Sequence, residues 1–119
     1  ITRLPFEGVE RLAQAAVQAG TDALTLTAPP RAAVPLPTEA EGEIHCLSGR
    51  LYGRALFPLL LHLLHTWVPR LSVPVIACGG IATAEEIEAC LAVGAAAVQI
   101  DALLWREPGI IERTKTLKI

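Results

Sequence analysis

Val73-Pro74-Val75-Ile76-Ala77-Cys78-Gly79-Gly80-Ile81-Ala82-Thr83-Ala84-Glu85-Glu86 is the stretch on which the fold turns. It begins with an unbroken apolar run that stops at a glycine pair. A fully apolar strand is what a parallel sheet covered on both faces requires. Thr83-x-x-Glu86 then has the form of a capping box. In that motif the Thr hydroxyl accepts from the N3 amide, and the Glu side chain reaches back to the Thr amide. Strand, glycine turn and capped helix together make one βα unit.

Working outward, the helix after Thr83 runs through Ile87, Cys90 and Leu91 to Gly94, and Ala96–Ile100 is a second buried strand. Pro108 can open a last helix carrying Ile110, Ile111 and Leu117. Upstream lies a Leu-rich helix over Ala55–Val68, with Pro58 in its first turn and Pro69 beyond its end. Arg31–Ser48 holds Pro35, Pro37 and Gly42 with little periodicity and reads as a long loop. Before it, Ala23–Thr27 is a strand halted by Pro29-Pro30. Val9, Leu12, Ala13, Ala16 and Val17 share one helical face, with Gly20 as the stop. Ile1–Leu4 reads as the end of another strand.

The order (β)αβ-loop-αβαβα indicates parallel βαβ units. The expected fold class is α/β: the C-terminal half of a (β/α)8 TIM barrel, about four βα units forming one segment over residues 1–119. A whole barrel takes about 250 residues. An open doubly wound sheet fits the same alternation, but no G-x-G-x-x-G follows a strand here. A half-barrel leaves strand edges and barrel-facing side chains uncovered, so its expected partner is the missing N-terminal half-barrel. The opening Ile1 and the absence of methionine likewise point to a piece of a longer protein.

Composition excludes several function classes. Lys plus Arg number 10 and Asp plus Glu 12, a net charge of −2, with none of the basic footprint that nucleic acid or an anionic membrane surface requires. Hydrophobic residues make up 52% of the chain, too many for a disordered tail. The most apolar stretch, Ala55–Val68, falls short of the ~20 residues of a membrane span. Cys46, Cys78 and Cys90 are widely spaced and odd in number, which argues against a disulfide framework or a zinc site and for a reducing, cytoplasmic setting.

In a barrel the active site lies at the C-terminal strand ends, and phosphate commonly sits on the last βα loops. Gly79-Gly80 falls there. Glycine allows close backbone approach, and exposed amides can hold phosphate oxygens; the plainer alternative is a tight turn.

The wider wording is more specific. Leu47-Ser48-Gly49, Ala55-Leu56, Val73 to Ile81, and Ala92-Val93-Gly94-Ala95-Ala96-Ala97-Val98-Gln99-Ile100 resemble, in order, the C-terminal half of dihydroorotate dehydrogenases, as does the opening Gly20 to Leu26. The resemblance implies an FMN-binding barrel that oxidises dihydroorotate to orotate in pyrimidine synthesis. It implies cofactor contacts at Ser48, Gly49, Gly79 and Gly80, and at Asp101 and Ala102, which stand where the family has Gly-Thr. It implies no catalytic residue in this segment, because the family's base lies in the N-terminal half.

The resemblance is divergent. Ala28 stands where the family carries a substrate-binding Asn, and Arg3 is the nearest basic residue to its flavin-contacting lysine. His45-Cys46 replaces glycines. A carboxylate such as Asp101 about 4 Å from a phosphate charge is repelled by roughly 4 kcal/mol at an effective dielectric of 20, so it must point away or find a cation. Two alternatives follow from these departures: a non-catalytic barrel acting as scaffold or partner subunit, and a different phosphate-binding barrel enzyme. His45-Cys46 as a nucleophile pair and His62/His65 as metal ligands are the weaker readings. Cys78 and Cys90 read as small core residues, Trp67 and Trp105 as packing residues, and Glu85, Glu86 and Glu88 as helix-start charges.

Overall fold

The computed structural model describes residues 6–26, 29–36 and 45–114. The expected end of a first strand at Ile1–Leu4, and with it Arg3, lies outside these residues, as do Ala28 and Leu117. The helix read from Val9 onward is α1, Phe6–Gln18. Strand β1, Leu24–Thr25, follows it. Next come β2, Arg31–Leu36, and β3, His45–Arg50. Helix α2, Phe57–Trp67, has Pro58 in its first turn and is flanked by single 3-10 turns at Arg54–Leu56 and Val68–Arg70. Strand β4 is Val75–Cys78, helix α3 Ala84–Ala92 and strand β5 Ala97–Gln99. Two short helices, α4 (Ala102–Arg106) and α5 (Ile110–Thr114), close the described chain.

β1, β4 and β5 form one parallel sheet in that order, with Leu24 beside Val75 and Ile76 beside Ala97. Each strand is next to its successor among the parallel strands, and helices α1, α2 and α3 all pack on one face. Side chains alternate across a strand, so Leu26, Val75 and Ala77 share that face. There they join Val9, Leu60, Leu64, Trp67, Ile87 and Cys90 in one core. Burying each large apolar side chain contributes roughly 1.5–3 kcal/mol, and Leu60, Leu64 and Trp67 are almost wholly enclosed. Gly94 ends the last turn after α3 with φ +107°; its amide donates to Leu91 O at 2.9 Å, and the Ala95 amide donates to Cys90 O at 3.1 Å.

The fold is α/β, with consecutive βα units of the C-terminal half of a (β/α)8 barrel. Three such units, begun by β1, β4 and β5, lie among the described residues. As expected of a half-barrel, the apolar strands are covered on one face only: Ile76 and Cys78 are half-buried, and Thr25, Ala97 and Gln99 are exposed. These residues form the face that the rest of a barrel would cover.

One expectation needs correction: of the Arg31–Ser48 stretch read as a loop, Arg31–Leu36 is a strand, and it pairs antiparallel with His45–Arg50 as a two-stranded hairpin. Val34 lies opposite Leu47 and Leu36 opposite His45. Ala33 and Pro35 interrupt the Ala32, Val34, Leu36 alternation, so the sequence hides it. Pro35 is tolerated because a two-stranded ribbon has free edges on both sides. The hairpin stands away from the core, with Val34 and Leu47 more than half exposed.

Candidate functional site

A cleft of about 100 Å³ opens at the C-terminal ends of the parallel strands, where a barrel carries its chemistry. Five pieces of chain build it. The turn Gly79–Ala82 follows β4, and Gln99, Ile100 and Asp101 lead out of β5. Tyr52, Gly53 and Arg54 lead into α2, while Leu103 and Arg106 come from α4. Pro29 closes the side below β1.

The turn after β4 owes its shape to the glycine pair. Gly79 and Gly80 have φ of +115° and +73°, a conformation L side chains rarely adopt. Gly80 is constrained further by packing: a Cβ there would lie 2.4 Å from Phe57 N and 2.8 Å from the Leu56 carbonyl carbon. The turn is therefore seated directly on the start of α2. Thr83 caps α3 as its sequence predicts, its hydroxyl accepting the Glu86 amide at 3.3 Å. The Glu86 carboxylate does not return to the Thr83 amide. Its Oε2 accepts the Ala82 amide at 2.7 Å, and its Oε1 accepts Arg54 Nε at 3.0 Å. Glu86 thus does more than place a charge at a helix start, because it joins α3 to the segment entering α2.

Arg54, Arg106 and Asp101 are the charged residues of the lining. Asp101 faces the cleft, with its side chain making no capping bond to α4. Cys78 also lines the cleft, half-buried; desolvation first, and the Asp101 charge second, push its thiol pKa up. The Glu85 carboxyl is held below its ordinary value by hydrogen bonds from its own backbone amide and the Thr83 hydroxyl.

Of the site residues expected from sequence, Gly79, Gly80 and Asp101 meet in this cleft. The Ala102 backbone opens α4 directly behind Asp101. Ser48 and Gly49 lie on β3, exposed and outside the cleft lining, and so do His45 and Cys46. Tyr52, Gly53, Arg54 and Arg106 line it instead. The available signal was Gly53, a glycine directly before the helix that Pro58 marks; its φ is +127°. Trp105, read as a packing residue, is 86% exposed. It projects from a helix of only five residues that has too little length to bury a full face. Cys90 is a core residue as read, but Cys78 lies on the strand face opposite the core and lines the cleft. Among the described residues, no group of His, Cys, Asp or Glu is arranged to hold a metal, and no helix is long and apolar enough to cross a membrane.

This geometry agrees with what the chain is similar to. It is 36% identical over 98 residues to dihydroorotate dehydrogenase A (fumarate) of Limosilactobacillus reuteri (strain DSM 20016), covering 82% of this chain and 32% of that protein. It is 32% identical over 103 residues to the putative dihydroorotate dehydrogenase A (fumarate) of Solibacter usitatus (strain Ellin6076), covering 84% and 33%. The chain is a divergent relative of the dihydroorotate dehydrogenases. It spans about a third of the length of these relatives. The nitronate monooxygenase family also matches, over residues 49–107. That range contains every cleft residue named above except Pro29.

Proposed function

We propose that this chain is the cofactor-holding, C-terminal half of an FMN-dependent barrel oxidoreductase, and that the substrate is dihydroorotate, oxidised to orotate in cytoplasmic pyrimidine synthesis. One observation carries the reading: the strand-end cleft sets a doubly left-handed glycine turn beside two arginines. Backbone amides and guanidinium groups together suit a phosphate. Ligand pockets usually enclose about 300–1,000 Å³. A cleft of about 100 Å³ therefore fits the anionic end of the cofactor, and the rest of the barrel must supply the remainder.

In this reading the Gly79–Ala82 turn, Arg54 and Arg106 hold the phosphate. The arginines offset the repulsion of roughly 4 kcal/mol that Asp101 would exert from about 4 Å. Tyr52 and Gly53 take the ring-flanking place that the sequence suggested for Ser48 and Gly49. Bound FMN supplies the hydride acceptor, and the chain's own residues position it. The N-terminal half-barrel, the proposed partner, supplies the base that removes the substrate proton.

The match over residues 49–107 favours a second reading: the same flavin-holding half serving a nitronate-oxidising enzyme. Both readings share this wall of the cleft and differ in residues outside it. The test is the visible absorption spectrum of the complete natural polypeptide. A flavin band bleached by dihydroorotate is expected. A band that ignores dihydroorotate but responds to a nitronate selects the second reading. The absence of any band after incubation with FMN would leave a non-catalytic scaffold.

A further inference from the structure

Glu86 ties two walls of the cleft together while standing outside its lining. Its side chain is only 12% exposed, whereas that of Arg54 is 65% exposed. Its two oxygens are divided between the walls. One takes the Ala82 amide of the glycine turn, and the other takes Nε of Arg54, 32 residues away in sequence. The seat of Gly80 on Leu56 and Phe57 brings the same two segments together independently.

A guanidinium held at Nε keeps its terminal nitrogens as donors and loses rotational freedom, so less entropy remains to be lost when an anion binds. We propose that Arg54 contacts the anionic end of the cleft's ligand and that Glu86 is its positioning residue. The inference rests on the FMN reading for the identity of the anion, a phosphate. It adds that Glu86, a negative charge near a phosphate site, strengthens phosphate binding.

That sign makes the idea testable. FMN and riboflavin are titrated into the complete polypeptide and into the Glu86→Gln, Arg54→Gln and double variants, following flavin fluorescence. Riboflavin lacks the phosphate, so it reports whether the rest of the site is intact. Glu86→Gln and Arg54→Gln are each expected to weaken FMN binding about tenfold or more, with riboflavin unchanged. The double variant should be no weaker than Arg54→Gln alone, because Glu86 acts through Arg54.

Tighter FMN binding by Glu86→Gln, as loss of a negative charge alone would give, overturns the proposal. So does an equal loss for FMN and riboflavin, which marks a merely structural residue. If Glu86→Gln does not fold, Arg54→Lys makes the same test. Lysine keeps the charge but lacks the separate Nε by which Glu86 holds the guanidinium fork, so unchanged FMN binding sinks the idea. If the wild type binds inorganic phosphate but neither flavin, the FMN reading fails and the same comparison on phosphate decides for Glu86. A wild type that binds none of the three overturns both.

Discussion

Among the described residues, Cys90 is the side chain whose chemistry burial changes most. It is fully enclosed, and burial first, with the Glu86 charge second, pushes its thiol pKa up to about 11. The folded chain therefore holds this proton more tightly than the unfolded chain does. The resulting stability is fully present below about pH 9 and is lost as pH rises through about 11. Urea midpoints measured from about pH 8 upward should fall across that window, and Cys90→Ala should flatten part of the fall. Equal slopes in the two proteins would refute the assignment.

At the scale of elements, the clearest prediction concerns the cap of α3. Thr83→Ala removes the acceptor for the Glu86 amide and should cost about 1 kcal/mol of stability, read from the denaturation midpoint. The sequence announced this helix because its signals are local: a capping hydroxyl, acidic residues in the first turn and a glycine stop. The same holds for α1 and α2, whose apolar spacing and proline positions were readable residue by residue. The β2–β3 hairpin was not readable, because Val34 finds its partner Leu47 across 13 residues and Ala33 and Pro35 blur the alternation. Short α4 follows β5 with no marked start. In the site, Gly79-Gly80 was legible as backbone chemistry. Arg54 and Arg106 were not, since an arginine's surroundings depend on which loop folds beside it.

For the whole molecule, the decisive feature is a sheet with one dressed face and one bare face. Thr25, Ile76, Ala97, Cys78 and Gln99 present the bare face to whatever completes the barrel. Ile76 on the middle strand is its centre. In the complete polypeptide, Ile76→Lys should destabilise by about 2 kcal/mol or more, as burying an unpaired charge does. A change within about 0.5 kcal/mol, the usual range for a solvent-facing site, would mean that the barrel does not close over this face.

The order of strands in the sheet also sets a clock. β1 pairs only with β4 among the described strands, and Leu24 meets Val75 about 50 residues later in the chain. At roughly 5–20 residues per second of synthesis, the ribosome makes that partner about 2.5–10 s after β1. The hairpin and α2 are completed during the wait. Nascent α1 and β1 therefore spend seconds with Val9 and Leu26 uncovered, the interval in which a chaperone or a neighbouring chain can capture them. Synonymous codons that slow translation between Pro29 and Ser72 should accordingly lower the yield of folded protein while leaving its final stability untouched.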